Sequence, residues 1–204
     1  MILKYLFQFL FVASNAVLSI ASCKKLALVP KQPLITLKNK DVGINGSDNN
    51  LDTRKAPFKS ISKAIAAALP GDAVFVRNDT YHEKVMVSNS GTLEKPIVLI
   101  PHSNELVRID KDGLLISETE ALLAIKNAKN IQIEGFVFQN FKTMAKGMDI
   151  NGVIINKGSK NITLRKNTVQ RIENNASPQD GRSGHAILVM GKWGLLDKGA
   201  YQSK

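Results

Sequence analysis

A twelve-residue pattern that occurs twice, 31 residues apart, constrains the fold of this chain more than any other feature. Asparagine opens both copies, at Asn130 and Asn161, and apolar residues fill four further shared positions. A period of this length, with apolar runs of only three to five residues, is typical of a solenoid whose equivalent residues stack from coil to coil. The matched apolar pairs are Ile131 with Ile162, Ile133 with Leu164, Phe138 with Val169, and Phe141 with Ile172.

Short apolar runs continue this pattern on both sides of the repeat. Asn, Gly, Asp, Lys and Ser separate the runs, and no intervening segment is long enough for a crossover helix. The second half of the chain is therefore predicted to be all-β, with coils from about residue 73 to residue 191. Asn130 and Asn161 are interpreted as turn residues that tolerate left-handed backbone and bond along the stack. The runs are Ala73–Val76, Val85–Val87, Ile97–Ile100, Leu106–Ile109, Leu114–Ile116, Leu122–Ile125, Ile131–Ile133, Phe136–Phe138, Val153–Ile155, Ile162–Leu164 and Ala186–Met190.

One segment before these runs has helical rather than strand periodicity. Phe58, Ile61, Ile65 and Ala68 recur at a spacing of three to four residues. Ser60 is a suitable N-cap, and a Pro-Gly pair follows the last apolar residue. The sequence predicts one amphipathic helix over residues 58–69, about three turns long.

The N-terminus has the features of an export signal. Lys4 precedes an apolar stretch that is too short for a membrane span and ends in Ala21-Ser22-Cys23. This ending resembles a bacterial lipobox, and Cys23 is the single cysteine of the chain. We therefore expect a signal peptide at residues 1–22, a lipid anchor on Cys23 and an exported protein of the bacterial cell envelope, periplasmic or at the cell surface. An ordinary signal peptide with an incidental cysteine, and hence a secreted protein, is the alternative.

The net charge of the chain indicates which classes of partner an exported protein of this kind can bind. Twenty-eight Lys and Arg residues against 17 Asp and Glu residues give a formal net charge of +11. A basic excess suits a polyanion such as nucleic acid, an anionic membrane surface or an acidic polysaccharide. Export argues against nucleic acid, and charge used only for solubility is the remaining alternative. The polar span at residues 23–40 is interpreted as a tether, followed by one domain at residues 41–204.

The order and spacing of several short motifs resemble the N-terminal half of secreted right-handed parallel β-helix proteins, above all the pectate lyase group. The resemblance covers residues 41–191 and implies a right-handed parallel β-helix, a solenoid whose N-terminal amphipathic helix caps the first coil. The matching motifs are Gly46-Ser47-Asp48, Ala56-Pro57-Phe58-Lys59-Ser60-Ile61, Ala64-Ile65, Pro70-Gly71-Asp72-Ala73-Val74-Phe75-Val76-Arg77, Thr80-Tyr81, Ser90-Gly91-Thr92, Lys95-Pro96-Ile97-Val98-Leu99, Val107-Arg108-Ile109-Asp110 and Gly184-His185-Ala186-Ile187.

The resemblance also implies a chemistry. Enzymes of this group cleave uronate polymers by β-elimination, with a lysine or arginine base and often a Ca²⁺ ion on the substrate carboxylate. Calcium needs clustered oxygen ligands, and the carboxylates of the later coils stand singly in this sequence. The family's base and calcium residues follow the segment matched by Gly184-His185, so no catalytic residue is carried over. The few coils and the atypical tail at residues 192–204 predict a chain truncated relative to the family.

Two groups of residues are candidates for a site. The polar loop before residue 186 contains Arg182, whose planar fork can hold a carboxylate, and His185, which can carry a proton near neutral pH. A solvated Arg182 and a His185 that begins a strand are the alternatives. Basic side chains around one coil are candidates for binding a uronate chain, or else form a solvated face; they are Lys157, Lys160, Arg165 and Lys166.

Three functions remain open. The first is an exported polysaccharide lyase-like protein that acts on an acidic polysaccharide by β-elimination. The second is a non-catalytic surface lipoprotein that binds acidic glycan. The third is an inactive N-terminal fragment of a longer lyase.

Overall fold

Parallel strands that coil around a shared apolar interior make up most of the structure, a computed structural model. It describes residues 38–112, 120–176 and 184–190, together with the backbone of a short strand at 202–203. Several predictions lie outside these residues. They concern the signal peptide at 1–22, the anchor Cys23, most of the tether, the apolar run at 114–116, Arg182 and most of the tail at 192–204.

The described strands form three parallel sheets, and each coil contributes one strand to each sheet in turn. Sheet 1 contains β1 (Lys38–Val42), β2 (Asp72–Val76), β5 (Ile97–Pro101), β8 (Lys129–Glu134), β11 (Lys160–Arg165) and β14 (Gln202–Ser203). Sheet 2 contains β3 (Asp79–Tyr81), β6 (Val107–Asp110), β9 (Phe136–Thr143) and β12 (Thr168–Asn174). Sheet 3 contains β4 (Val85–Val87), β7 (Glu120–Lys126), β10 (Ile150–Asn156) and β13 (Gly184–Val189).

The strand register confirms the sequence repeat. In β8 and β11, Ile131 lies opposite Ile162 and Ile133 lies opposite Leu164. In β9 and β12, Phe138 lies opposite Val169, and Phe141 opposite Ile172. The repeat is therefore one coil of a parallel β-helix of about four coils, as predicted.

The interior of the solenoid is a stack of apolar side chains. Phe136, Phe138 and Phe141 are fully buried, and Ile133 and Ile109 lie in the same core. Burial of each such side chain contributes roughly 1.5–3 kcal/mol, so the stacked apolar side chains stabilise the coils.

The predicted cap helix forms but is shorter than expected. Helix α1 spans Ile61–Ala66 rather than residues 58–69, and it packs on β1, β2 and β4. Phe58 cannot join the helix because its N–H and carbonyl both bond to the end of β1, to Asp41 and Gly43. At the other end, the Ala68 N–H bonds to the carbonyl of Ile65, three residues back, which tightens the chain into a turn.

Three carboxylate and hydroxyl side chains cap the start of α1. Ser60 is the N-cap, as predicted, and its Oγ accepts the Lys63 N–H at 3.1 Å. Glu83 accepts the N–H groups of Ile61 and Ser62 at 2.8 and 2.9 Å. Asp48 accepts the N–H groups of Lys59 and Ser60, both at 2.9 Å. These bonds satisfy donors that a helix start otherwise leaves unpaired.

Strand bounds differ from the predicted runs mainly by extension. β1 begins at Lys38, three residues before the predicted domain start, and β9 is eight residues long. β3 and β12 were absent from the predicted runs because their exposed residues are polar and interrupt the apolar pattern. Among the described residues, no helix is long and apolar enough to span a membrane.

Candidate functional site

An asparagine ladder, which we define as Asn130 and Asn161, lies at the start of two strands of sheet 1, where each asparagine is the second residue of β8 or β11. Asn161 Nδ2 donates to Asn130 Oδ1 at 2.9 Å, and Asn130 Nδ2 donates to the Gly91 carbonyl at 3.0 Å. Both residues have left-handed backbone, with φ of 55° and 53°. The left-handed backbone and the bond along the stack predicted for these asparagines are confirmed, but both residues lie in strands rather than in turns.

The predicted basic residues do lie on one coil. Lys157 is exposed in the turn before β11, Lys160 is the first residue of β11, Arg165 is its last, and Lys166 follows. β11 therefore has cationic side chains at both of its ends. Their role in binding substrate stays a prediction.

Two of these cations share one carboxylate. Arg165 donates to Glu134 Oε2 through Nε at 3.0 Å and Nη2 at 2.6 Å, and Lys166 Nζ lies 2.9 Å from Glu134 Oε1. The hydrogen bonds from Arg165 and then Lys166 lower the pKa of Glu134 below its usual value. The cluster keeps one net positive charge at neutral pH, and both cations remain largely exposed.

A shallow groove of about 190 Å³ lies on the outer face of sheet 1, beside the asparagine ladder. Gln132 of β8 and Thr163 of β11 lie opposite each other in its floor. Lys129 and Lys160, at the starts of the same two strands, also lie opposite each other. We call this the amide groove, and its lining residues are Leu93, Pro96, Asn130, Gln132, Asn161, Ile162 and Thr163.

Sequence reasoning missed the amide groove although the repeat contained the signal for it. Gln132 and Thr163 occupy the same position of the two copies, between two buried apolar residues, and so must point outward. Lys129 and Lys160 occupy the position directly before the ladder asparagines.

His185 is the second residue of β13, as the structural alternative for it predicted. It lies opposite Asn151 of β10, and Asn151 donates to the Glu120 carbonyl at 3.1 Å. His185 Nδ1 is shielded from solvent and has no hydrogen-bond partner in the part of the chain that the structure describes. Arg182 lies outside the described residues, so its distance from His185 is untested.

A second polar cluster, which sequence reasoning missed, lies where sheet 2 leads into sheet 3. Lys84 Nζ lies 2.7 Å from Glu120 Oε1. Lys111 is only 3% exposed, and its ammonium lies 5.6 Å from the centroid of the Phe141 ring. Burial lowers the pKa of Lys111, and the charge of Glu120 opposes that shift. Lys111 stands in a run of charged residues and glycine, which in a sequence reads as an exposed turn.

Side-chain bonds also connect successive strands of sheet 2. Gln139 Nε2 donates to Asp110 Oδ2 at 2.9 Å, and Gln170 Nε2 donates to Gln139 Oε1 at 2.9 Å. Burial would raise the pKa of Asp110, but hydrogen bonds from the Asp112 N–H, Gln139 and Asn140 outweigh it and lower the pKa. Asp110 is committed to this column and is a poor candidate for catalysis.

Calcium was implied by the family resemblance and can be compared with the donors present. Within residues 38–112, 120–176 and 184–190, no group of three or more His, Cys, Asp or Glu side chains is placed to hold a metal ion. The described donors therefore do not fit a calcium site, and no reaction step is assigned to calcium.

Two curated proteins match the chain in sequence. The uncharacterized protein YwoF of Bacillus subtilis is 32% identical over 136 residues, which cover 66% of this chain and 29% of YwoF. Pectate lyase PEL9 of Emericella nidulans is 26% identical over 160 residues, which cover 76% of this chain and 39% of PEL9. The chain spans about a third of the length of these relatives.

A family model and a solved structure also match the chain. Residues 44–107 match the family described as a protein of unknown function, DUF1565. The GH136 lacto-N-biosidase from Eubacterium ramulus aligns with a TM-score of 0.56 and 18% identity, covering 75% of this chain and 30% of that chain. At this identity the likeness concerns the fold alone. The chain is a parallel β-helix, as its motifs predicted, and its sequence is similar to that of a pectate lyase.

Proposed function

We propose that this chain is a polysaccharide lyase-like protein that binds an acidic, uronate-containing polysaccharide and cleaves it by β-elimination. The observation that carries the proposal is the similarity to pectate lyase PEL9, which extends over 160 residues and 76% of this chain. The net charge of +11 supports it, because a uronate polymer is a polyanion.

Part of this positive charge is concentrated in the basic residues around β11. Lys157 precedes β11 and Lys160 begins it, while the Arg165–Lys166 pair, with its net positive charge, lies at its other end. Exposed cations of this kind contribute more to the rate of association than to affinity. We propose that they attract the uronate chain and align it across the coil.

β-Elimination needs a base and a partner for the substrate carboxylate. The base removes the proton from the carbon beside the carboxylate, a carbon–carbon double bond forms, and the bond to the leaving glycosidic oxygen breaks. That oxygen then takes up a proton. We propose Arg182 as the carboxylate partner, because a guanidinium fork can hold a carboxylate, and His185 as the proton carrier, because an imidazole can exchange a proton near neutral pH.

The most direct test is product formation. The full chain is incubated with pectate, alginate and a glycosaminoglycan, with and without calcium, and the ultraviolet absorbance of unsaturated uronates is followed. A rise that His185→Gln reduces supports the proposal. No rise with any polymer, from a folded protein, contradicts cleavage by this chain.

A second candidate function is glycan binding without cleavage. The side chains that line the amide groove are amides, a hydroxyl and apolar groups, with no titratable group among these lining residues. Such a surface can hold a sugar but has no base. Affinity for uronate oligomers without any unsaturated product would favour this candidate.

Export and anchoring are part of the proposal. We propose that residues 1–22 direct export to the cell envelope and that Cys23 carries the lipid anchor. Metabolic labelling with a fatty-acid analogue is expected to label the wild-type chain in a bacterial host but not Cys23→Ser. Equal labelling of both chains would contradict the anchor.

A further inference from the structure

We propose that Asn151 is a positioning residue for His185 and holds the imidazole in the tautomer that has its hydrogen on Nδ1 and a lone pair on Nε2. This inference rests on the proposed function, in which His185 carries the proton, and it says which nitrogen takes that proton. Three observations support it: the strand register, the direction of the Asn151 amide and the shielding of His185 Nδ1.

The strand register places the two side chains next to each other. Asn151 is the second residue of β10, His185 is the second residue of β13, and the two lie opposite each other in sheet 3. Opposed residues of neighbouring strands point to the same side of a sheet, and the strands are only ~4.8 Å apart. On its other side Asn151 lies opposite Ala121 of β7, which has no polar side-chain atom. The polar side chain that the register places beside Asn151 is therefore His185.

The Asn151 amide has a fixed direction. Its Nδ2 donates to the Glu120 carbonyl of the preceding coil at 3.1 Å. A carbonyl oxygen only accepts, so the amide atom that faces it must be the nitrogen. Oδ1 is then directed toward the following coil, which carries His185. The asparagine ladder has the same polarity, because Asn161 Nδ2 donates back to Asn130 Oδ1.

The two facing atoms are shielded from solvent and complement each other. Asn151 is fully buried, and the described residues give no hydrogen-bond partner to its Oδ1 or to His185 Nδ1. A buried acceptor without a donor costs free energy, and a rotation of the imidazole toward Asn151 supplies the donor. A neutral imidazole donates from one nitrogen and accepts at the other. Only the form with hydrogen on Nδ1 satisfies Oδ1, since the other form sets two acceptors against each other.

This tautomer determines how His185 acts in the proposed elimination. His185 is half-buried and Nδ1 is shielded, which leaves Nε2 to exchange a proton with a substrate. Nε2 takes the proton from the carbon beside the carboxylate, and the electrons of that bond form the carbon–carbon double bond. The Nδ1–H keeps its bond to Asn151 Oδ1 before and after this transfer, so the ring does not have to turn. Asn151 itself touches no substrate.

Nitrogen NMR of the full chain, labelled with ¹⁵N on histidine, measures the tautomer directly. The chain has three histidines, and His185→Gln assigns the signals of His185. Spectra at about pH 9, well above the ordinary pKa of an imidazole, report the neutral ring. We expect hydrogen on Nδ1 in wild type. A free neutral imidazole favours hydrogen on Nε2, and we expect Asn151→Leu to return His185 to that form.

Two further variants serve as controls for the spectra. Asn156→Leu removes the amide at the far end of β10, whose Oδ1 is likewise shielded and has no partner among the described residues. It should leave the tautomer of His185 unchanged. Asn151→Asp keeps an acceptor oxygen toward His185 and should keep the hydrogen on Nδ1.

Kinetics with a uronate polymer that wild type cleaves give a second readout. Asn151→Leu should lower kcat roughly tenfold or more, because a general base contributes roughly 10²–10⁴-fold and needs its lone pair in place. Its KM should stay within about twofold, since Asn151 binds no substrate. Asn156→Leu should keep the wild-type kcat.

The outcomes separate the positioning role from the proposed function. Hydrogen on Nε2 in wild type, or an unchanged tautomer or kcat in a folded Asn151→Leu chain, would overturn the role of Asn151 and leave cleavage to the product assay. Hydrogen on Nδ1 that depends on Asn151, in a chain that makes no product, would support the pair and contradict cleavage. Thermal melts show whether each variant is folded. If Asn151→Leu does not fold, the tautomers of wild type and Asn151→Asp decide.

Discussion

Two kinds of corner in the solenoid contrast in how they treat polar groups. Two turns from sheet 3 to sheet 1, at residues 127–128 and 157–159, are short, and a ladder asparagine follows each of them, at Asn130 and Asn161; we call these turns the short corner. The turns from sheet 2 to sheet 3 between β6 and β7, at residues 111–119, and between β9 and β10, at residues 144–149, are longer; we call these the long corner.

The short corner pairs several of its polar groups by repetition. Ser159 Oγ accepts the Ala128 N–H at 3.2 Å from the neighbouring coil, and the asparagine ladder does the same with amides. At the long corner, the described residues offer no hydrogen-bond partner to the buried Lys111 Nζ, and beside the short corner they offer none to Asn156 Oδ1. Repetition thus supplies stability, and irregular turns are where a solenoid can place polar groups for other purposes.

The largest expected effect comes from glycine substitutions in two turns that differ in packing, at residues 88–96 and at residues 144–149. A Cβ on Gly91 would lie 2.7 Å from backbone atoms of Lys95, Pro96 and Ile97, whereas a Cβ on Gly147 would meet nothing within 4 Å. We expect Gly91→Ala to cost about 3 kcal/mol through forced backbone shifts. Gly147→Ala should lower the free energy of unfolding by only about 1 kcal/mol, because the positive φ of this residue is its only conflict with a Cβ. Urea unfolding of both variants measures the contrast, and an equal cost would contradict it.

The asparagine ladder is expected to give the next effect. Asn130→Ala removes two ladder bonds from a left-handed position and should destabilise the chain by about 2 kcal/mol. Asn161→Ala loses one bond and should cost less. A double-mutant cycle is expected to show coupling of about 0.5 kcal/mol or more, and strictly additive costs would show that the bond between the two side chains is worth nothing.

Substitution of Lys111 at the long corner should not destabilise the chain, in contrast to the substitutions of Gly91 and Asn130. Lys111→Met replaces a buried ammonium by an apolar chain of similar length, so we expect unchanged or higher stability, by up to about 2 kcal/mol.

The pH dependence of the free energy of unfolding tests whether the buried ammonium of Lys111 causes this effect. Because burial lowers the pKa of Lys111 in the folded state, the unfolded chain binds more protons between the lowered pKa and the ordinary value of 10.5. Wild-type stability should therefore rise with pH through that window, and Lys111→Met should remove this rise. A marked loss of stability in the variant would show that the ammonium has a partner that holds it.

The smallest expected effect concerns the helix cap. Burial would raise the pKa of Asp48, but hydrogen bonds from the Ser60 N–H and Oγ and the Lys59 N–H outweigh it and hold the pKa below 3.8. The stabilisation is therefore present above about pH 4 and is lost as the pH falls through the lowered pKa. Asp48→Asn should cost about 1 kcal/mol or less at pH 7 and nothing at the acid limit. A constant difference across acid denaturation curves would contradict this linkage.

The sequence predicted the scaffold well for a physical reason. Buried positions of a solenoid must be apolar in every coil. The sequence repeat alone therefore predicts which residues pair between β8 and β11 and between β9 and β12. The start of the helix could not be predicted from the sequence. Phe58 fits the helical spacing of apolar residues, but its backbone bonds to the end of β1 instead.

The candidate site was only partly predictable. The coil that carries Lys160 and Arg165 was found, but the ion pair of Arg165 with Glu134 depends on strand register. Lys129 and Gln132 were missed because each becomes a candidate only when β8 is paired with β11, which places Lys160 and Thr163 opposite them. Lys111 was missed because charged residues in a turn-like run give no sign of burial.

The most direct test of binding at the amide groove is an NMR titration of the isotope-labelled full chain with oligogalacturonate. We predict that the side-chain amide signals of Asn130, Gln132 and Asn161 shift together and saturate with one affinity, while those of Asn45 and Asn49 near the cap helix stay unchanged. Shifts confined to residues around Lys84, Asn151 and His185 would contradict binding at this groove, and no shifts at all would contradict glycan binding by this chain.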